Sequence, residues 1–303
     1  VDPQEAVRAR GGVARWSDLE GCGVSRDMLR TALRSGDLIR PHRGCYALPG
    51  TDRAAILATV FRGVGTCVTW CAARGLPLLR VPGEVHLAVP QNRALGNPRR
   101  RPVGEVVLHR HLPREGVSVL ENLDIAALCT SPLEQVVLLD AALNRGLLDP
   151  GGLPFLRHGT EARRRWVVSS VDARAQSLLE SIARVELREA GLTVIPQAEI
   201  AGVGAVDLLV EGHVVVETDG YEFHRRRDQF ARDRDRDRQL ALDGYATLRY
   251  ASGDVLRDPG RIVEDVVAVL WRRGWFSPTV RTNLDRAARV SGPRWWSLPA
   301  SRH

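Results

Sequence analysis

The sequence predicts a multidomain chain of mixed α/β (α+β) class. Three observations carry that prediction. Residues 1–50 read as three short helices followed by two strands around a basic turn. Residues 172–275 read as helix, three strands, helix, strand, helix, the order of a mixed sheet flanked by helices. Residues 51–165 alternate helical and β-like segments in a mixed middle region, and residues 276–303 form a Trp- and Pro-rich tail.

Bulk properties narrow the class. The 303 residues are 44% hydrophobic, enough for two or three domains with real cores. A net charge of +7 favours contact with a polyanion without identifying one. All 43 basic residues are arginine, so chemistry that needs a neutral amine is excluded. Arginine instead keeps its charge and offers phosphate a planar fork. Five cysteines, an odd and sparse set, fit a reducing cytoplasm. The chain starts without a charged-then-apolar leader and holds no long apolar run. A soluble cytoplasmic protein without membrane contact is therefore expected.

In the first unit, helices are expected near 4–10 and 16–21. The stretch VSRDMLRTALRSGDL gives the clearest helix, with Ser25 as N-cap and Gly36 as terminator. Leu29, Ala32 and Leu33 supply its inward stripe. Arg26, Arg30 and Arg34, spaced i, i+4, i+8, share another face. The hairpin LIRPHRGCYALPG follows with Arg40, His42 and Arg43. This is the order of a winged helix-turn-helix, whose third helix would enter the major groove of duplex DNA. The arginine stripe alone is compatible with a plain solvated face; the basic hairpin beside it favours DNA. The stretch from GGVARWSDLE to GCYALPG resembles the N-terminal domain of AbiEi-type antitoxins. That resemblance implies a DNA-binding winged helix tied to transcriptional autoregulation; on the helix spacing and the hairpin, Arg26, Arg30, Arg34, Arg40 and Arg43 would make the DNA contacts.

The middle region predicts helices at 52–61 and 67–74, then β-like runs at 85–90, 105–112 and 116–120. NPRRRP at 97–102 reads as a basic turn. SPLEQVVLLDAALNRG is a marked helix: Ser131 caps, Pro132 takes the first turn and Glu134 completes a capping box. Cys67 and Cys71 lie four apart in a helical pattern with no second pair in metal-ligand spacing. They read as small buried residues rather than zinc ligands. His109 and His111 share one side of a strand, with no third ligand evident in the sequence.

In the third unit, a helix is expected at 173–190 and strands at 193–200, 204–210 and 213–219. A charged helix at 226–242, a strand at 245–250 and a helix at 260–272 complete it. Side chains alternate along a strand, so Glu217 and Asp219 point one way. If the hairpin loop is Glu211, Gly212 and His213, Asp207 lies opposite Glu217, with Cβ atoms about 5 Å apart. A two-residue loop would put them on opposite faces. Carboxylates that close repel unless a cation or proton intervenes. Their hard oxygens suit Mg²⁺ or Mn²⁺, which would activate water and steady a phosphate. Glu180 in SLLESIARV could reach the same end of the sheet. His224, five residues after Asp219, could act as acid, base or phosphate holder. Each of these residues alone is ordinary; their conjunction predicts a site.

The run 225–238 holds seven arginines and four aspartates in a helical pattern. Phe230, Asp233, Asp237 and Leu240 fall near one stripe. Asp233 would turn inward, orienting Arg234, His224 or a water, or serve in a structural ion pair. Arg225, Arg226 and Arg227 could line the approach of a phosphate backbone.

VDLLVEGHVVVETDGYEFH, followed by FARDRDRDRQLALDGYATLRYASGDVL, resembles the DUF559 group of the restriction-endonuclease-like, or PD-(D/E)XK, superfamily. That group is similar to the very short patch repair endonucleases. The resemblance implies that Asp207 is the metal-binding aspartate and Glu217 the second metal-binding acid. It places Glu180 as the helix glutamate, Asp219 at the usual lysine position, His224 after the DG turn, and Asp233 with Arg234 at a recurrent pair. Val206 replaces the usual proline before Asp207. The implied activity is a Mg²⁺- or Mn²⁺-dependent endonuclease acting on DNA, with Glu180, Asp207, Glu217, Asp219, His224 and Asp233 as the catalytic set. Cutting both strands of a duplex would call for two sites, as in a homodimer. Two alternatives stay open: an RNA-directed nuclease, and a non-catalytic, antitoxin-like regulator with a degenerate nuclease-like domain.

Overall fold

The computed structural model describes residues 1–92, 103–111, 116–219, 227–275, 278 and 280–282. The chain divides into two compact units, 1–75 with 80–126, and 76–79 with 127–303.

The first unit opens with α1 (Pro3–Arg8), β1 (Val13–Arg15), α2 (Trp16–Glu20) and α3 (Arg26–Ser35). Strands β2 (Ile39–His42) and β3 (Cys45–Ala47) follow. Ser25 Oγ accepts the Met28 amide at 3.2 Å, and Gly36 ends α3 at φ 82°, where a side chain would be strained. The expected hairpin gains a third strand, in the order β1-β3-β2. The three residues of β1 are too few to show a period. Val7, Leu19, Leu29, Leu38 and Tyr46 form the core of this part.

The unit continues with α4 (Arg53–Phe61), β4 (Val64–Gly65), α5 (Cys67–Ala73), β5 (Val85–Ala88), β6 (Val106–His109) and α6 (Val119–Ile125). A small sheet β4-β5-β6 forms, with β5 parallel to β6. The run 116–120, expected as a strand, instead starts α6. Ser118 Oγ accepts the Glu121 amide at 3.2 Å, and Glu121 Oε2 accepts the Ser118 amide at 2.8 Å. This reciprocal capping box outweighs the β propensity of two valines. The basic turn at 97–102 lies outside the described residues.

The second unit contains α7 (Pro132–Asn144), α8 (Glu161–Ser170) and α9 (Leu178–Glu189). Then come β7 (Val194–Ile200), β8 (Gly204–Val210), β9 (Val214–Asp219), α10 (Arg227–Leu242), β10 (Ala246–Ala251), α11 (Ser252–Arg257) and α12 (Gly260–Arg272). α8 and α11 are additions to the expected order. The sheet runs β10-β9-β8-β7, with β10 parallel to β9 and the other pairs antiparallel. It is a mixed sheet with helices packed on it, as expected. Leu240 anchors α10 to the sheet among Ala198, Ile200, Val206 and Val215. A buried ion pair, Arg184 to Asp140 at 2.6 Å, ties α9 to α7. Among the described residues, no helix is long and apolar enough to cross a membrane.

Candidate functional site

The site grows from one hairpin. Glu211 at φ 51° and Gly212 at φ 73° turn the chain, and the His213 amide closes the loop on the Val210 carbonyl at 3.0 Å. The loop thus has three residues. It sets the pairs Val210↔Val214, Leu209↔Val215 and Leu208↔Val216. One further step puts Asp207 opposite Glu217. There the ladder changes character: Asp207 Oδ2 accepts the Thr218 amide at 2.8 Å and its hydroxyl at 3.2 Å.

Three carboxyls converge on this end of the sheet. Burial pushes the Asp207 carboxyl up; the Thr218 hydrogen bonds pull it back, Asp219 adds repulsion and Arg236 attraction. Burial also raises Glu217, and the charge of Asp207 raises it further, against attraction from Arg236 and Arg249. Glu180 is 5% exposed and is raised by burial, with Asp207 adding to the rise against its hydrogen bonds. The repulsion places Glu217 and Glu180 within electrostatic reach of Asp207. Hard oxygen donors disfavoured as free anions fit a divalent cation such as Mg²⁺ or Mn²⁺. Such an ion needs only one or two protein carboxylates, because water and substrate phosphate complete its shell.

Cations and amides frame the acids. Arg236 on α10 stands 3.6 Å from Glu217 Oε1 and donates to the Ala205 carbonyl at 2.7 Å. Arg249 lies beside Glu217 in the parallel ladder and holds Asp237 with both guanidinium nitrogens. Glu180 Oε2 accepts the Gln176 amide at 3.0 Å and Gln197 Nε2 at 2.9 Å. Gln197 sits in β7 at φ 50°, between the pairs Pro196↔Leu208 and Ala198↔Val206. A non-glycine residue in the left-handed region persists only where its surroundings hold it, and such positions gather at functional sites.

The sequence-derived set thus divides. Glu180, Asp207 and Glu217 are brought together. Asp219 ends β9 opposite Ala251, close enough to repel Asp207. His224, Arg225 and Arg226 lie outside the described residues. Arg227 and Asp233 fall on α10, whose side chains are described from Arg234 onward; Arg234 is exposed. Sequence reasoning missed Gln197, Thr218, Arg236 and Arg249. The first two carry no motif. Arg236 was hidden in the arginine–aspartate run, and Arg249 depends on the β9–β10 register.

The expected DNA face is also laid out. Arg26, Arg30, Arg34, Arg40 and Arg43 are exposed. Arg26 lies over the Trp16 ring at 5.5 Å and Arg40 over Tyr46 at 5.9 Å. Arg30 pairs with Asp27 on the same helix.

Residues 180–270, from the helix glutamate through α12, match the family REase_MTES_1575. They form a restriction-endonuclease-like domain. Residues 3–49 match AbiEi_4, described as "Transcriptional regulator, AbiEi antitoxin", so an AbiEi antitoxin domain precedes the nuclease-like one. No curated protein matches the chain.

Proposed function

We propose that the chain is a DNA-binding, metal-dependent endonuclease that hydrolyses phosphodiester bonds. The observation that carries this reading is the register of β8 on β9, which sets Asp207 against Glu217 beside a buried Glu180. Asp207 and Glu217 would hold Mg²⁺ or Mn²⁺. The ion would supply Lewis-acid charge to the scissile phosphate and a more acidic water. Glu180 bounds the acidic site, with its carboxylate oriented by Gln176 and Gln197. Arg236 offsets the charge of Glu217 and offers donors toward a backbone phosphate. Phosphoryl transfer mainly needs such positioning and electrostatic support. The winged helix would dock on duplex DNA through Arg26, Arg30, Arg34, Arg40 and Arg43. The odd, sparse cysteine set suits work in a reducing cytoplasm.

A second reading has its own support. Asp219 stands where the superfamily usually has lysine, and the N-terminal domain matches a transcriptional regulator. A regulator whose nuclease-like domain only binds nucleic acid would share both features. Wild type, D207A and E217A on labelled duplex DNA, single-stranded DNA and RNA, with Mg²⁺, Mn²⁺ or EDTA, separate the readings. Cleavage by wild type alone, abolished by EDTA, supports the enzyme, and the preferred substrate distinguishes DNA from RNA. Equal background from all three proteins rejects the site.

A further inference from the structure

We propose a second metal site, a zinc centre in the first unit, held by Cys67, His86 and His109. The sequence offered no third ligand for His109 and no metal role for Cys67. The fold changes that. The donor atoms of Cys67, His86 and His109 lie within 4.8 Å of one another. All three residues are buried, at 0%, 6% and 8% exposure. His86 Nδ1 and His109 Nε2 are 3.3 Å apart, with the rings stacked at 5.5 Å.

That separation is informative. Zinc binds imidazole nitrogen at about 2.0–2.1 Å, so two nitrogens on one tetrahedron stand about 3.3–3.4 Å apart. A direct N–H···N hydrogen bond would ordinarily be shorter. The surroundings also fix the donors. His86 lies on β5 and His109 on β6, held by the pairs His86↔Val107 and Ala88↔His109. The Thr66 amide donates to the His86 carbonyl at 3.0 Å, and Thr69 Oγ accepts the His86 amide at 2.8 Å. Thr66 Oγ in turn donates to Asn122 Oδ1 at 2.8 Å. These bonds clamp the start of α5 to β5, and Cys67 begins α5 at φ 54°, a conformation rare outside glycine. Such an outer shell is what orients metal ligands.

Two imidazoles and a thiolate want one more donor to close a tetrahedron, a position that water would take. The thiolate and two imidazoles are soft enough to select zinc over Mg²⁺. The ion would hold α5 and the β5–β6 sheet together. Zinc would displace the Cys67 thiol proton to solvent.

The test uses the full chain purified without chelator. Elemental analysis should find about one zinc per chain. Co²⁺ added to the zinc-stripped, reduced protein should give tetrahedral d–d bands with sulfur-to-cobalt charge transfer. C67S should abolish those bands; C71S and D207A should keep them. Wild type that is folded by circular dichroism yet gives no tetrahedral spectrum would overturn the site. Loss of zinc in D207A would overturn it too, by moving the metal to the carboxylates.

Discussion

Glu217→Gln should abolish cleavage and yet stabilise the protein. Asp207 and Glu217 face each other across a hairpin whose register implies Cβ atoms about 5 Å apart. At an effective dielectric of 20, two charges at that distance repel by about 3 kcal/mol. Arg236 and Arg249 return part of this, but Arg236 is partly exposed, and such pairs are worth about 0–1 kcal/mol each. Neutralising Glu217 should therefore leave a net gain of about 1 kcal/mol. For a unit of this size that is a rise in Tm of about 2–4 °C. The sign follows from linkage. The folded pKa of Glu217 lies above its unfolded value, because burial and Asp207 disfavour the anion. Stability is highest below the unfolded pKa and falls as pH rises through the folded one. The gain should thus be full near neutral pH and vanish in acid, where the wild-type carboxyl is protonated. Mg²⁺ at a hundredfold excess over its Kd should stabilise wild type by about 2.7 kcal/mol and the variant by far less. Differential scanning calorimetry with and without Mg²⁺ reads all of this. A lower Tm for the variant near neutral pH, or equal stabilisation of both proteins by Mg²⁺, would refute the reasoning.

Arg184→Met should cost about 3–5 kcal/mol in urea denaturation, because it strands the buried Asp140 carboxylate, with both side chains now at most 1% exposed; a cost below about 1 kcal/mol would mean that the pair contributes no more than an exposed one. Arg30→Ala should weaken duplex binding and lower the salt slope of log K by about 1 at unchanged Tm, since its partner Asp27 is exposed. An unchanged salt dependence would assign the winged helix to protein contact. Asp172, half-buried but held at about 2 by hydrogen bonds from Arg174 and Arg188, stabilises the fold above its unfolded pKa and loses that contribution as pH falls toward 2. Asp172→Asn should flatten the acid limb of the stability–pH curve by about 2 kcal/mol.

Most of the architecture was legible because the signals were local. Ser25 and Gly36 bracket α3, and the three-residue loop at 211–213 fixes the register that joins Asp207 to Glu217. What was illegible depends on distant partners or on competition. Valines at 117 and 119 argued for a strand until the Ser118–Glu121 box is weighed against them. Cys67 and His109 are 42 positions apart in sequence, and only the β4-β5-β6 sheet brings them together. Gln197 is silent because its contribution lies in a backbone angle and one amide bond to Glu180.

Among the described residues, Ser-x-x-Glu with the serine as N-cap stands at three helix starts, and its fates show how a capping motif becomes part of a site. At α6 and α7 the glutamate reaches back to its own cap: Glu121 to the Ser118 amide at 2.8 Å and Glu134 to the Ser131 amide at 2.6 Å. The Ser118 bonds hold the Glu121 carboxyl below its ordinary range. At α9 the same letters behave differently. Ser177 still caps the Glu180 amide at 3.1 Å, but the Glu180 carboxylate reaches past its cap to accept the Gln176 amide and Gln197 Nε2. It keeps the helix N-terminus, which favours an anion by about 0.3–1 kcal/mol, and gains two donors. Its carboxyl is nevertheless pushed up, because burial and the charge of Asp207 exceed those gains. A pure capping role would place the glutamate where its charge is stabilised. Glu180 is held where its charge is opposed, one helical turn before Arg184, whose ion pair with Asp140 fixes α9. A neutral glutamine there would escape that opposition, so under the proposed function Glu180 holds a position that a cation would relieve.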